Sequence, residues 1–459
     1  MIIRNTNLWI LTEEKPKKSV IQTILKEYSV KNNRHLEINY EFYKINPIIN
    51  ENNFSFDYVI EGVTLEKINQ IKLKITRGNS SFLDFLLIEQ DEEPADGSCD
   101  NVIMGFEETK TNDDESRNTG IYQRAIKFMY AKEFSPKIEN YMLYNDSLNS
   151  RENKKPSDTN IFGTNMLLTL GVNILGKKNM TWYKKFESID ELILAKSKMK
   201  LPPPKNVPIL ITKEGNTIKI SGRLVKNGTL SHDPNIGALS TISMCLRNLG
   251  WQGDINITRH GITQQYITKT KGKNKFLYVC KLYNMKLEDI IIPNNYMLPN
   301  NYWRYEKSSE KVTSILLHIL AENNGIKEVY QNHAGCERGY FITKENKYIA
   351  LPKKDLSGNA NLFIPDLILY DNISNIMLLI EAKKKSTMKQ GLEELLHYDS
   401  IENEFINKHY PNVDNIRYIT LFGGNDDSVP NDKTLVQINF DGSILVNENA
   451  PDFIKDLFE

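Results

Sequence analysis

Apolar and polar positions follow two different periods along this chain. Residues 17–30, KKSVIQTILKEYSV, carry apolar side chains at helical spacing and predict a helix facing a core. Between 35 and 77 the period shortens to two in HLEINYEF, FDYVIEGV and IKLKIT, which predicts strands. SFLDFLLIEQ and VIMGFEETKT then flank the polar stretch DEEPADGSCDN, the pattern of a hairpin. TGIYQRAIKFMYAKEF predicts a helix with Thr119 as N-cap, and ENYMLYN (139–145) another strand. The same order returns near the end. An amphipathic helix, SEKVTSILLHILAE (309–322), precedes two apolar runs, FIPDLILY and NIMLLIEAK, around DNISN. MKQGLEELLHYDSIENEF then reads as a helix and IRYITLFGG (416–424) as a strand. Strand, turn, strand, helix, strand occurs twice, which argues for two domains of one fold.

LPPPKNVP (201–208) reads as a stiff linker between them. In the following section, PILITKEGNTIKISGRLVKNGTL predicts two strands around a turn and a third short one. LSTISMCLRNLGW predicts a helix, and INITRHG and FLYVCKLY predict strands. At 459 residues the chain exceeds one average domain. The expected division is 1–200, 201–300 and 301–459, and the fold class is α/β (α+β), with mixed sheets flanked by helices.

Composition adds bounds. Lys plus Arg and Asp plus Glu both number 58, so the formal net charge is zero. A balanced total leaves a nucleic-acid partner open, because the distribution of charge decides. The KKK run at 383–385 and the acidic patch at 425–427 are segregated. The middle section is basic, with Arg223, Arg247, Arg259, His260, Lys271 and neighbouring lysines among Tyr266, Tyr278 and Tyr283. That is either a solvated face or a surface whose cations neutralise phosphates. The 4 cysteines are scattered without a CxxC, which argues against structural zinc and for a reducing compartment. No run approaches ~18 apolar residues, and the N-terminal apolar patch is too short for a signal peptide. A cytoplasmic protein with no membrane span is expected.

Candidate chemistry sits in the two hairpins. Asp366 falls in the first strand of its hairpin, and Glu381 and Lys383 end the second. Two positions apart, Glu381 and Lys383 point to one side of the strand. Asp84, Glu108 and Lys110 repeat the arrangement; the separation of the acids differs (84 to 108, 366 to 381), and the difference falls in the turn. One or two carboxylates suffice for Mg²⁺, which keeps several waters. A cation there and a lysine beside it are what phosphodiester hydrolysis needs.

Pro365-Asp366 followed by Glu381-Ala382-Lys383, in its strand, hairpin, strand and helix context, resembles the PD-(D/E)XK nuclease superfamily. In the first copy Leu83 replaces the proline, and Glu107 and Asp100 are rival acids. The resemblance covers residues 15–150 and 305–440. It implies restriction-endonuclease-like domains, each a mixed central sheet flanked by helices, and Mg²⁺-dependent hydrolysis. It also implies a further acid on the preceding helix, here Glu310 or Glu27. With this length, no helicase or methyltransferase motif and no GxxxxGK[ST] loop, the chain is similar to a type II restriction endonuclease. The implied partners are double-stranded DNA and a cognate DNA methyltransferase of the same restriction-modification system, with the chain a monomer or homodimer. Two sites would let each cut one strand. Two alternatives stay open: one active site with the other domain a non-catalytic DNA-binding module, or a non-catalytic DNA-binding protein.

Three other stretches carry candidates. TKTNDDESRNTG (109–120) is either a solvated loop or a segment entering a groove, where Arg117, Asn118 and Gln123 could read base edges. His232 and Asp233 read as a turn before a helix. His333, Cys336 and Glu337 form no zinc pattern; they precede a strand, FITKENKYIAL, and leave Arg338 available to a phosphate.

Overall fold

The computed structural model describes residues 6–458 except 79–81, 110–119, 145–154, 178, 200–208, 222–233, 259–262, 270–274, 293–300, 334–338 and 352–361. It is a mixed α/β structure in which several mixed sheets are flanked by helices. In chain order, β1 (Thr6–Thr12) and α1 (Lys18–Asn32) are followed by β2 (Lys44–Asn50), β3 (Asn53–Glu61) and β4 (Ile68–Gly78). Next come β5 (Phe85–Gln90), β6 (Val102–Thr109), α2 (Gly120–Phe134), β7 (Glu139–Tyr144) and α3 (Asp158–Thr169). The middle section holds α4 (Ile189–Ser197), β8 (Leu210–Glu214), β9 (Thr217–Ser221), α5 (Pro234–Asn248), β10 (Asp254–Ile257), α6 (Gln264–Lys269), α7 (Lys275–Leu282) and β11 (Met285–Leu287). The last section holds α8 (Lys311–Asn323), β12 (Lys327–Gln331), β13 (Leu367–Asp371), β14 (Ile376–Lys384), α9 (Met388–Glu394), β15 (Asp414–Phe422), β16 (Thr434–Ile438) and β17 (Ile444–Val446).

Two compact units emerge. Unit 1 comprises Met1–Arg77, Leu87–Asp96 and Arg304–Glu459; unit 2 comprises Gly78–Leu86 and Gly97–Trp303. The middle section therefore groups with residues 97–200, and the stretch expected to be a linker (201–208) lies outside the described residues.

In unit 1 the C-terminal sheet runs β12-β13-β14-β15-β16-β17. β12, β13 and β14 are mutually antiparallel neighbours, and β14 and β15 are parallel. One face packs on the chain after β14 through Met377, Leu379, Ile368, Tyr398, Ile401 and Ile419. The other packs on α8, whose residues Val312 to Ala321 are all buried. The expected amphipathic helix is thus a core helix. It also packs on β2, where Asn323 donates to the Ile45 carbonyl at 2.8 Å. Unit 2 repeats part of this pattern: β6 and β7 run parallel on either side of α2 in sequence. A second sheet in unit 2 runs β8-β9-β10-β11.

Several expectations are corrected. FLYVCKLY is not a strand but most of α7, with Leu277, Val279 and Cys280 buried. A continuous apolar run has no period to separate strand from buried helix. The segment after β14 is not one helix. After α9 it steps through 3₁₀, α and π turns as far as His409. Arg417 of β15 holds these steps, donating to the Leu395 carbonyl at 2.8 Å and to the Asp399 and Glu402 carboxylates. FITKENKYIAL is a hairpin of Tyr340–Ile342 with Tyr348–Ala350. Asp366 and Asp84 stand immediately before their strands, not within them. Thr119 and the third strand expected after β9 lie outside the described residues. Among the described residues no helix is long and apolar enough to cross a membrane.

Polar groups inside unit 1 form a chain. Ser314 Oγ lies 3.1 Å from His333 Nδ1, and His333 Nε2 lies 3.0 Å from His318 Nδ1. His318 Nε2 in turn lies 3.0 Å from Glu328 Oε2. Burial first, then nearby positive charge, holds both imidazoles below their ordinary value. The folded state therefore binds these protons later than the unfolded chain as pH falls.

Two predictions follow from this packing. Leu379→Ala, on a side chain with 0% exposure, lowers unfolding free energy by about 2–5 kcal/mol in urea titration. The histidine pair adds stability above about pH 6.5 that is lost as pH falls. The urea midpoint should drop between about pH 7.5 and 5, and by less in His333→Gln; an unchanged drop in the variant contradicts this.

Candidate active site

The β13–β14 hairpin positions the unit 1 site. Its turn is fixed locally: the Asp371 carboxylate accepts from the backbone N–H of Ser374 at 2.8 Å, and Asn375 takes a left-handed φ of 56°. Asp and Asn suit such turns because their side chains bond the local backbone and tolerate that conformation. The resulting register pairs Leu367 with Ile380, so Asp366 stands across from Glu381. Asp366 Oδ2 accepts from the Ala382 N–H at 3.0 Å. Alternation puts Glu381 and Lys383 on the face that carries Met377 and Leu379, toward α9 and the stepped segment.

That segment contributes two groups the sequence did not single out. Lys383 Nζ pairs with Glu381 Oε1 and lies 2.8 Å from Glu394 Oε2. The Tyr398 hydroxyl donates to Glu381 Oε2. Gln390, one turn earlier on α9, donates to Glu394 at 2.8 Å. A Cβ on Gly391 would fall 2.7 Å from Lys383 Cγ, so only glycine leaves this lysine its path. The signal for Glu394 was present, an acid one turn beyond Gln390. Only the fold shows that α9 lies over the end of β14.

Burial dominates the electrostatics. It raises Glu381, which is 5% exposed, and the Asp366 charge raises it further. Asp366 is raised by burial too, with Glu310 and Glu394 adding to the effect and the Ala382 N–H and Lys383 opposing it. Burial would also raise Glu394, but its bonds to Glu381, Lys383 and Gln390 bring it below the ordinary range. Burial opposes the charge on Lys383, yet Glu381 and Glu394 raise it above its ordinary value. Three carboxyl groups thus face one ammonium. Two of them cannot readily ionise together unless more positive charge arrives. This donor set fits a hard divalent cation that keeps most of its waters. Among the described residues no group of three or more His, Cys, Asp or Glu side chains is arranged to hold a metal ion by itself.

Glu310 immediately precedes α8 and lines a cavity of about 300 Å³ with Arg77, Lys311, His333 and Lys384. Lys384 points to the opposite face of β14 from Lys383.

In unit 2, Asp84 Oδ2 accepts from the Glu108 N–H at 2.8 Å. The acid brought to the face covered by α2 is Glu107, 2% exposed. Lys127 Nζ lies 2.7 and 2.9 Å from its two oxygens and 3.7 Å from Asp84 Oδ1. Arg124 Nε lies 3.4 Å from Glu107 Oε1. Burial pushes the Glu107 carboxyl up to about 8 and Asp84 adds to it, while Lys127 and Arg124 pull it down. Glu108 is buried on the other face of β6, and Lys110 lies outside the described residues. Asp100 stays in its own turn, within 3.3 Å of Ser98 Oγ. Glu27, on α1, belongs to unit 1.

Of the candidate DNA contacts, Arg117, Asn118, Arg223, Arg259 and Lys271 lie outside the described residues, as do His232, Asp233, Cys336, Glu337 and Arg338. Gln123 falls within α2. Arg247 donates to four backbone carbonyls, those of Tyr283, Trp251, Gly253 and Asn284, at 2.7–3.1 Å.

The raised carboxyls have a measurable consequence. Mg²⁺, were it bound at Asp366 and Glu381, would release protons above about pH 5, where ordinary carboxylates have few left to lose. Calorimetry in buffers of different ionisation heat reads this directly. Glu381→Gln reduces the release, and a heat independent of buffer contradicts the account. Comparison with models of known protein families, with curated proteins and with solved structures finds no match.

Proposed function

We propose that the chain is a Mg²⁺-dependent, sequence-specific double-strand DNA endonuclease of the type II restriction class, with its cutting centre at Asp366, Glu381 and Lys383. The observation that carries this reading is the placement of a half-buried and a buried carboxyl opposite each other across a hairpin, with a lysine two residues beyond the second. On this reading double-stranded DNA is the substrate, and a methyltransferase of the same specificity protects the host's own sites.

Mg²⁺ bound by Asp366 and Glu381 would supply positive charge for the phosphate oxygens and for the departing alkoxide. The chain's own groups do the rest. The Ala382 N–H fixes Asp366 and the Tyr398 hydroxyl fixes Glu381, so neither carboxylate has to reorganise during reaction. Lys383 Nζ, drawn from Glu381 toward the substrate, orients the attacking water and offsets charge on the phosphate. The water oxygen bonds to phosphorus, the phosphorus–oxygen ester bond breaks, the water gives up a proton to solvent, and the leaving alkoxide takes one from solvent.

Asp366→Asn and Lys383→Met should each slow cleavage of plasmid DNA by about 10²-fold or more, while the protein still binds DNA in Ca²⁺. EDTA should stop cleavage. Intact plasmid after incubation of the native chain with Mg²⁺ or Mn²⁺, over methylated and unmethylated DNA, would instead support a non-catalytic DNA-binding protein.

A further inference from the structure

The two hairpins look alike in sequence but carry different charge. The register that relates them comes from one backbone bond in each. Asp366 accepts from the N–H of the residue after Glu381, and Asp84 accepts from the N–H of the residue after Glu107. Glu107, not Glu108, therefore stands where Glu381 stands. Two positions on, where unit 1 has Lys383, unit 2 has Thr109, which is 7% exposed. The cations of unit 2 come from the helix: Arg124 and Lys127, three apart on one face of α2, both reach Glu107.

The sums then diverge. In unit 1 three carboxyl groups (Asp366, Glu381 and Glu394) share one ammonium, a deficit of two positive charges when all are ionised. In unit 2 the two carboxylates, Asp84 and Glu107, meet two cations, Lys127 and Arg124, a deficit of none among the described residues. Lys127 Nζ also touches both Glu107 oxygens and approaches Asp84, so it fills the place between the carboxylates that a shared cation would need. A divalent cation would have to displace the Lys127 ammonium from both Glu107 oxygens to enter.

We infer that the unit 2 pair is closed by its own lysine and takes no divalent cation, so each chain holds one cutting centre and a double-strand break requires a second copy of this chain on the DNA. The inference rests on the nuclease reading above and sets the number of its centres. Unit 2 keeps the backbone of a carboxylate hairpin with the metal's place occupied by a side chain.

Counting bound Mn²⁺ by electron paramagnetic resonance tests this without any cleavage. The native chain should bind one tight Mn²⁺. The double variant Glu107→Gln/Lys127→Met, which removes the closest pair together, should still bind one. Asp366→Asn/Glu381→Gln should bind none. Two Mn²⁺ per native chain, with one lost in the unit 2 double variant, overturns the inference. So does a unit 2 variant that nicks only one strand at the target. On DNA, mixing the native chain with a growing excess of Asp366→Asn should convert double-strand breaks into nicks; breaks that merely fall in proportion to dilution, with no nicks, overturn it. If the native chain binds no Mn²⁺ and cuts nothing, the nuclease reading falls, whatever the unit 2 variants do.

Discussion

Asp366 and Glu381 stand opposite each other across an antiparallel hairpin, and the rest of the unit 1 site answers the repulsion between them. Burial and then the Asp366 charge hold the proton on Glu381, the more enclosed of the two. Lys383 offsets part of the charge, Glu394 adds to it, and Tyr398 bonds the remaining oxygen of Glu381. The arrangement is electrostatically incomplete by itself. Unit 2 differs in the same chain in its count of cations, with both a lysine and an arginine reaching its buried acid.

The fold keeps this unfavourable cluster in place by enclosing it. β14 is packed on α8 from one side and on the stepped segment from the other, with Leu379 and Met377 fully buried. The strand cannot slip, because a one-residue shift would exchange Leu379 and Glu381 with their neighbours on the α8 face. The Asp371–Asn375 turn sets the register at one end and the Asp366–Ala382 bond locks it at the other. Arg417 then ties down the segment that brings Tyr398 over the site. Stability from the apolar layers thus offsets the strain of gathering like charges.

Much of this was legible in the sequence. Two apolar runs around an Asp/Asn-rich turn gave the hairpin, and the order of elements after it held in both halves. What failed had physical reasons. A tripeptide shows which acids are near a lysine in sequence, not which face of a strand they take, so Glu108 was favoured over Glu107 although only Glu107 faces α2. Lys127 lies seventeen positions downstream of Lys110, and no local spacing marks it. FLYVCKLY had no period to read, and the breaks after α9 depend on Arg417, a distant residue. The His318–His333 contact joins a helix to the end of a strand in the same way.

The central claim is that the Asp366–Glu381–Lys383 cluster hydrolyses phosphodiester bonds at defined positions in DNA. Run-off sequencing of the products of the purified chain with Mg²⁺ tests it most directly. The account predicts breaks at a fixed offset from one recurring sequence on each strand, with none when Mg²⁺ is withheld. Uncut DNA, or breaks spread without regard to sequence, would contradict it.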